Sequence, residues 1–313
     1  MKTVWSKYRA ALVALMFLPL GLRAAWNISA DADVRSRLTD GLHYEGGLHV
    51  LGASARKTFS DRKGDRFTLF VLVEAHDNFS EIMPHEIYGR YKGPLGSWNL
   101  TLGRFGLPYG LLTGFSSSRL LYDMPHRALI GHNVDNGLMI SGVVGMWDYA
   151  VGVTQGYGPH HTPGFPGHGL ATARLGATLG YAGDVILGLS AAHGKTSHAH
   201  ERDETTERTV GGVDATLYLG RLLCRMELNG GVVDQRLTAA GFAGLDYALL
   251  SRLDVNVAVT GIRRGDETKD AWFAGVTYTL RWFTLRGGYR YAWHDEPHHQ
   301  AGLQIYRLFS ANF

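Results

Sequence analysis

Charged side chains at alternating positions are the groups in this sequence best suited to act on ions. The set near the N-terminus comprises Asp31, Asp33, Arg35 and Arg37, and the other arginines on polar strand positions include Arg56, Arg286 and Arg290. Residues two apart lie on the same face of a β-strand. Such rows of charge favour a role in the ion selectivity of a pore over a role in catalysis, because clusters of charge set pore selectivity.

Residues that could carry covalent catalysis are few. Ser116–Ser118 precede His126 and His132 in one predicted loop, but nucleophilic catalysis needs a mutual geometry that this spacing does not supply. Cys224 is the single cysteine, which excludes an internal disulfide and a Cys-based zinc site. The Gly-x-Gly patterns follow no βαβ unit, so no nucleotide site is expected. We therefore assign no catalytic residue, no metal and no cofactor.

Histidine is the unusual part of the composition, with 15 copies. Two pairs combine closely spaced histidines with nearby acidic residues: His198 with His200 beside Glu201, and His298 with His299 beside Asp295 and Glu296. Neutral imidazole binds Zn, Cu and Ni, yet neither pair has the rigid spacing of a helical metal site. We expect polar loop residues that gain charge as the pH falls through about 6.5, with weak metal binding as the alternative.

The composition excludes several classes of protein. The chain has 313 residues, of which 45% are hydrophobic and 19% charged, so it is too apolar to be disordered. The net charge of +3 is too small an excess of basic residues to indicate binding of nucleic acid, so no nucleic-acid partner is expected. After residue 25 no apolar run approaches the roughly 20 residues of a membrane helix, which excludes a polytopic helical membrane protein.

The first 25 residues have the pattern of a signal peptide. Lys2, Lys7 and Arg9 precede an apolar stretch over 10–22, and a polar chain begins after Ala24-Ala25. The apolar stretch is too short for a comfortable membrane span. We predict export of one domain covering residues 26–313, with an N-terminal membrane anchor as the alternative.

Hydrophobicity in the exported part alternates with period two, the signal of β-strands. Leu253, Val255 and Val257, for example, alternate with Asp254 and Asn256. A soluble β-sandwich would turn the apolar face inward, whereas a membrane β-barrel turns it toward lipid. Aromatic residues near strand ends and a polar face rich in Gly, Thr, Asn and Arg favour the membrane barrel.

The pattern predicts an all-β fold, a transmembrane antiparallel barrel of about sixteen strands within a range of 14–18. The predicted strands are 26–37, 47–59, 66–77, 82–92, 97–105, 136–144, 146–156, 169–180, 184–193, 209–219, 222–232, 240–250, 253–262, 271–280, 282–293 and 301–313. Short connections alternate with connections that are mostly longer and more charged, the latter at 38–46, 106–135, 157–168, 194–208, 263–270 and 294–300. Both termini then fall on the short-turn side, which an exported barrel places in the periplasm.

The third outer connection, 106–135, is the candidate constriction. At roughly 30 residues it is far longer than a hairpin loop, and long loops are usually functional. Its candidate pore residues are Arg119, Tyr122, Asp123, His126 and Arg127, with a surface loop on the rim as the alternative. Barrel closure brings Arg35, Arg37, Arg56, Arg286 and Arg290 into one sector, which indicates a weak preference for anions unless these arginines are paired with carboxylates.

Three segments carry a resemblance to a known family. Leu102–Leu112, Asp135–Gly142 and Tyr149–Gly156 resemble the strand-to-loop transition and following hairpin of bacterial porins related to the phosphate-selective porin O/P group. The resemblance covers about 55 residues and implies passive diffusion of small hydrophilic solutes through a homotrimeric barrel, in outer-membrane lipid, narrowed by its third outer loop. The chain has no evident lysine ladder, so phosphate selectivity is not expected.

The last residue, Phe313, is the candidate assembly signal. A terminal aromatic on an alternating strand resembles the signal that the barrel-insertion machinery of the outer membrane reads, although Arg307 interrupts the apolar face. Three alternative functions remain open: a sheath for an electron-transfer partner, an outer-membrane lipase-type enzyme, and a surface adhesin or receptor that uses the charged loop 194–208.

Overall fold

Sixteen antiparallel strands form one closed barrel. The computed structural model describes residues 23–111, 126–159, 168–180, 182–197, 205–294 and 296–313. Each strand pairs with the next in sequence, and β16 pairs with β1. The predicted fold class and strand number are therefore confirmed. Residues 1–22 lie outside the described part, so the signal peptide stays a prediction, and β1 begins at Arg23.

The strands correspond one to one with the predicted strands. Those of the first half are β1 Arg23–Thr39, β2 His43–Asp61, β3 Gly64–His76, β4 Glu81–Lys92, β5 Asn99–Gly106, β6 Val134–Val144, β7 Trp147–Thr154 and β8 Leu170–Leu179. Those of the second half are β9 Val185–Ser197, β10 Thr205–Leu219, β11 Leu222–Val233, β12 Arg236–Leu250, β13 Leu253–Arg264, β14 Glu267–Thr279, β15 Thr284–His294 and β16 Glu296–Asn312.

The described chain contains a single α-helix, α1 (His126–Ile130), near the end of the third connection. Within the residues that the structure describes, no helix has the length and apolarity required to cross a membrane.

Apolar side chains cover the outside of the barrel, the reverse of a soluble protein. Leu102, Leu189 and Leu228 are 66%, 57% and 64% exposed, whereas Thr101 and Gln304 on the opposite strand face are fully buried. Register identifies the second face as the lumen, because the third connection contacts residues of that face alone. An apolar exterior over a polar interior is the pattern of a membrane-spanning barrel.

Aromatic side chains mark the barrel edge nearest the termini. Trp26, Trp98, Trp147 and Trp282 are exposed and lie at or beside strand ends or turns on that edge. Tryptophan prefers the headgroup region, since its ring is apolar and its N–H is polar. These residues therefore form an interfacial girdle on the terminal side of the membrane.

Four of the outer connections are shorter than predicted, which corrects the ends of the strands on either side of them. The segments predicted as connections at 38–46, 194–208, 263–270 and 294–300 reduce to 40–42, 198–204, 265–266 and 295. The strands continue past the membrane, where both faces are polar, and there the period-two signal of hydrophobicity disappears although the backbone pairing persists. Only 107–133 and 155–169 remain long.

Candidate functional site

The third connection turns into the lumen directly after β5. Leu107 and Tyr109 are buried, and the next two backbone N–H groups reach strands far along the barrel wall. The Gly110 N–H donates to Ser190 Oγ on β9 at 2.8 Å, and the Leu111 N–H donates to Glu227 Oε2 on β11 at 2.9 Å. The start of the connection is therefore fixed against the inner wall and not on the rim.

Glycine at position 110 makes this approach possible. Its φ is +59°, and a Cβ there would lie 2.4 Å from Glu227 Oε1. A larger residue would suffer both the left-handed backbone conformation and a clash with a buried carboxylate. Gly110 is thus required for the inward turn.

The returning end of the connection is held by a buried arginine. Arg208 on β10 donates from Nη1 to the Leu129 carbonyl of α1 at 2.6 Å and from Nε to Thr196 Oγ1 at 2.7 Å. The last carbonyls of a helix lack partners within the helix, so this bond satisfies one of them. Arg208 lies on β10 and not in the charged outer loop predicted at 194–208, so the sequence did not indicate its role as an anchor.

An apolar cluster inside the barrel joins both ends of the connection to the wall. Leu107, Tyr109, Leu129 and Ile130 come from the connection, and the wall contributes Leu170, Ala192, Val210, Val233 and Ala240. Burial, with a smaller contribution from the charge of Glu227, raises the pKa of the Tyr109 phenol. The connection is therefore packed on β8–β12 as a small hydrophobic core.

The fourth outer connection is attached to the same structure through Asp135. The Asp135 carboxylate accepts the Gly156 N–H at 2.5 Å and the Gly158 N–H at 3.2 Å, and His132 Nε2 lies 3.5 Å from it. Asp135 lies at the start of β6, and Gly156 and Gly158 lie just after the end of β7. The two longest outer connections are thereby linked over the mouth of the barrel.

The candidate constriction residues of the third connection lie mostly beyond these anchors. Arg119, Tyr122 and Asp123 lie outside the described residues. His126 and Arg127 form the first turn of α1, and only their backbone is described. Their part in a constriction remains a prediction, based on anchors that precede and follow them in the chain.

The predicted basic sector lies on one side of the lumen. Arg35, Arg37, Arg56, Arg286 and Arg290 all occupy lumen-facing register positions, on strands in the order β2, β1, β16, β15. A small cavity is lined by Arg35, Arg37 and Arg290 together with Phe273. The topology therefore brings Arg35, Arg37, Arg286 and Arg290 together toward the mouth, as the sequence predicted. The prediction was wrong for Arg56, which pairs with Asn27, eight residues before Arg35 on β1, and so lies roughly 26 Å further toward the turns.

Arg35, unlike Arg37 and Arg56, is paired with a carboxylate. Its Nη2 lies 2.8 Å from Asp33 Oδ2, and Gln304 Nε2 donates to Asp33 Oδ1 at 2.8 Å. Arg286 Nη1 donates to Gln304 Oε1 at 3.0 Å and its guanidinium lies over the Tyr306 ring. Arg35 is a neutralised wall residue, the alternative raised for this sector by the sequence.

Carboxylates also neutralise the arginines of the opposite wall. Arg174 contacts Asp148 at 3.1 Å and Asp214 at 2.7 Å, and Arg225 forms an ion pair with Asp246. The wall from β7 to β12 thus carries paired charges, so it contributes less to the net field than the sector around Arg37 and Arg56.

A histidine group occupies the lumen wall on β2–β4. Glu74 Oε2 lies 3.0 Å from His76 Nε2 and 3.9 Å from His85 Nε2, and the rings of His49 and His76 are 6.5 Å apart. The alternation of faces along β3 indicates Glu74 and His76 as lumen residues. It does not indicate His49 and His85, because a β-bulge beside each of them shifts the strand register. Across the described ranges, no group of His, Cys, Asp and Glu is arranged to hold a metal ion.

Arg307, which interrupts the apolar face of β16, satisfies the neighbouring turn. Its Nη1 donates to the carbonyl groups of Arg281 and Trp282. Its guanidinium also lies 5.3 Å from the Trp282 ring centroid and 4.5 Å from that of Phe309. The charge therefore sits within the aromatic girdle, where a long basic side chain is tolerated.

Comparison with known proteins identifies the fold. No family model matches the chain, and no curated protein matches it. The barrel is similar to in vitro folded OmpT, an outer membrane protein of Vibrio cholerae in its trimer form, with 12% identity, a TM-score of 0.72, and coverage of 91% of this chain and 99% of that chain.

Two porins give a comparable match. The anion-selective porin from Comamonas acidovorans has 14% identity, a TM-score of 0.69, and coverage of 92% of this chain and 100% of that chain. Salmonella typhi OmpF, in complex with daunomycin, has 12% identity, a TM-score of 0.64, and coverage of 91% and 97%. At these identities the likeness establishes the fold alone, a sixteen-stranded outer-membrane barrel of the porin type.

Proposed function

We propose that this protein is an outer-membrane diffusion channel for small hydrophilic solutes, with a weak preference for anions. The observation that carries the proposal is the bonding of Gly110 and Leu111 to Ser190 and Glu227. These bonds hold a segment of the third connection inside a polar lumen. A sixteen-stranded barrel encloses an aqueous channel, and an internal segment narrows it without closing it.

The anion preference rests on arginines without a carboxylate partner. Within the part of the chain that the structure describes, Arg37 and Arg56 form no ion pair within 4 Å, in contrast to Arg35. Unpaired guanidinium groups raise the local concentration of anions in a low-dielectric channel. The likeness to an anion-selective porin from Comamonas acidovorans agrees with this direction.

The anchored connection favours a channel over the alternative functions. A sheath for an electron carrier needs a lumen wide enough for a protein partner, and the core around Leu129 occupies part of that space. For a lipase-type enzyme or an adhesin the described residues supply no comparable contact, and serines 116–118 and residues 198–204 of the loop 194–208 lie outside them. The channel that we propose is not an enzyme.

The same proposal includes how the protein reaches and occupies the membrane. A signal peptide over 1–25 directs export, and Phe313 is presented to the barrel-insertion machinery. A homotrimer in outer-membrane lipid is proposed from the trimer form of the similar OmpT. The relation to the porin O/P group belongs to this proposal as well, together with a constriction formed by Arg119, Tyr122, Asp123, His126 and Arg127.

Single-channel recording tests the proposal. The mature chain, refolded and heat-modifiable, is added to a planar bilayer under a KCl gradient. We expect current steps of uniform size and a reversal potential displaced toward that of chloride. A correctly folded barrel that gives no current would overturn the channel, and a reversal potential of potassium type would overturn the anion preference alone.

A further inference from the structure

Two arginines and two aromatic rings form a continuous stack on the lumen wall of β2–β4. The Arg56 guanidinium lies 5.2 Å from the Phe70 ring centroid, and that of Arg90 lies 5.0 Å from the Tyr88 centroid. The two rings are 5.2 Å apart at an interplanar angle of 38°. Register places all four side chains on the lumen face.

The rings orient these guanidinium groups without neutralising them. A cation–π contact holds the flat face of arginine and leaves its N–H edges available to an anion. Among the described residues Arg56 has no hydrogen bond or ion pair, and Arg90 uses only Nε, which donates to Thr101 Oγ1 at 3.1 Å. Most other lumen arginines described above have a carboxylate or amide partner.

Glu86 is the carboxylate nearest to the stack on the lumen face of β4, and it points elsewhere. Its Oε1 lies 3.7 Å from the position that a Cβ on Gly106 would occupy. Gly106 ends β5 at the mouth, whereas Arg90 lies two residues before the turn-side end of β4. The carboxylate is thus directed toward the mouth: it interacts with Arg90 and Arg56 through space but forms no ion pair with either within 4 Å.

The stack is open to solute on the turn-side half of the lumen. Phe70 and Tyr88 are half-buried, and Arg56 is exposed. Tyr88 pairs with Gly103 on β5, which carries no side chain to cover the edge of the tyrosine ring. A solute that passes the third connection meets ring surface and guanidinium edges at the same place.

We propose that Arg56, Phe70, Tyr88 and Arg90 form a binding subsite for aromatic carboxylates. The carboxylate accepts hydrogen bonds from the guanidinium edges, and the flat ring of the solute packs on the stack. An aliphatic carboxylate gains only the first contact. The subsite rests on the proposed channel function and adds a class of solute that a general preference for anions does not specify.

Channel block by added solute tests the subsite. The refolded mature chain conducts KCl in a planar bilayer while potassium benzoate, cyclohexanecarboxylate or acetate is added at matched ionic strength. We expect benzoate to halve the chloride current at a concentration about two- to fivefold below that of cyclohexanecarboxylate, the range of one ring contact at a solvated site. Equal block by the two ring acids would overturn the subsite.

Substitutions assign the effect to the stack. The double variant Phe70→Leu with Tyr88→Leu should keep a KCl current and lose the preference for benzoate. Arg37→Gln, a lumen arginine away from the rings, is the matched control and should retain that preference while anion selectivity falls. Should the double variant not insert, Arg56→Gln tests the other half of the subsite, because Arg56 is exposed and its loss leaves no buried group unpaired. Arg56→Gln should weaken the block by all three acids more than Arg37→Gln does, and equal block in these two variants would overturn the subsite.

The outcomes separate the subsite from the channel. If the wild-type protein conducts but is blocked equally by all three acids, the result contradicts the subsite and leaves the channel function standing. Wild-type protein that does not conduct contradicts the proposed function itself. Retention of the benzoate preference in the double variant assigns the effect to another part of the lumen and also overturns this proposal.

Discussion

The Glu227 carboxylate accepts a hydrogen bond from the backbone N–H of Leu111, 116 residues earlier in the sequence, at 2.9 Å. Glu227 is buried and also accepts from Asn229 Nδ2 at 2.7 Å. This contact joins a connection that leaves β5 to a strand six places further along the barrel. Glu227 is therefore one of the buried anchors of the third connection, together with Ser190 and Arg208.

Replacement of Glu227 by alanine should release the third connection. The Leu111 N–H would lose its partner at a cost of about 1–3 kcal/mol to the bound arrangement of the connection. We expect a larger single-channel conductance with more current noise. Glu227→Gln removes the same charge but keeps an acceptor, so its conductance should stay near that of the wild type. Equal conductance changes in the two variants would assign the effect to charge and not to anchoring.

Arg37 should contribute to anion selectivity, and the Arg35–Asp33 pair should not. Arg37→Gln removes a lone lumen charge and should lower the anion-to-cation permeability ratio about twofold, the combined effect on both ions of a unit charge about 8 Å from the ion path in water screened by roughly 0.1 M salt. The double variant Arg35→Gln with Asp33→Asn removes a neutral pair and should leave the reversal potential almost unchanged. Reversal potentials under a KCl gradient measure both, and an equal shift would refute the distinction.

Charge reversal at Arg127 tests the constriction predicted from the sequence. Arg127 lies in α1, whose residues Leu129 and Ile130 are packed inside the barrel. Arg127→Glu should move the reversal potential toward that of cations by more than Arg263→Glu. Arg263 is an exposed arginine on the outward face of β13, so it serves as a matched control. Identical shifts would argue against a place for Arg127 at the constriction.

Phe313 should matter for assembly more than for stability. Its side chain is 75% exposed, while its backbone N–H and C=O pair with Trp26 at 2.9 and 3.0 Å whatever the side chain. Phe313→Ala should reduce the amount of folded protein in cell membranes, yet leave the thermal transition of refolded protein nearly unchanged. Leu303→Ala, on the same outward face and 48% exposed, is the control. A matching loss of folded protein in both variants would contradict a signal role.

Asp40 should make the mouth of the barrel sensitive to acid. Its carboxylate accepts the His299 N–H at 3.0 Å, and this bond together with His298 lowers the pKa of Asp40 below its ordinary value. Because the pKa of Asp40 is lower in the folded protein, the contact is fully stabilising above the ordinary carboxyl pKa of about 4. This stabilisation is lost as the pH falls through the pKa of Asp40 in the folded state.

Amide exchange at the mouth measures this effect. Exchange at His299, corrected for its intrinsic pH dependence, should be protected near pH 6 and accelerate in stronger acid. Asp40→Asn should lose the pH dependence of that protection. If the protection factor of His299 in the wild type is the same near pH 6 as in stronger acid, the Asp40 carboxylate does not hold the β1–β2 turn to β16.

Much of the barrel could be read from the sequence because lipid imposes a local rule. Each strand must show apolar groups to the membrane at every second position, so Leu253 and Val255 report their face without knowledge of any neighbour. The same rule placed Arg37, Arg56, Arg286 and Arg290 in the lumen, and strand order made neighbours of all of them except Arg56. Where strands rise above the membrane the rule ends, and there the predicted boundaries were wrong.

The sequence by itself determined the strand number, the inside and outside of the barrel, and the length of the third connection, since these follow from period-two patterning and chain distance. Only the tertiary structure decided that Glu227, Ser190 and Arg208 hold that connection, and that Arg35 is neutralised while Arg56 and Arg90 stack on rings. Asp33 with Arg35 and Tyr88 with Arg90 are same-face neighbours on one strand, so the sequence allowed these contacts without fixing them. The other contacts join residues on different strands or far apart along the chain. No local pattern encodes such partners, because barrel closure and β-bulges set which side chains meet.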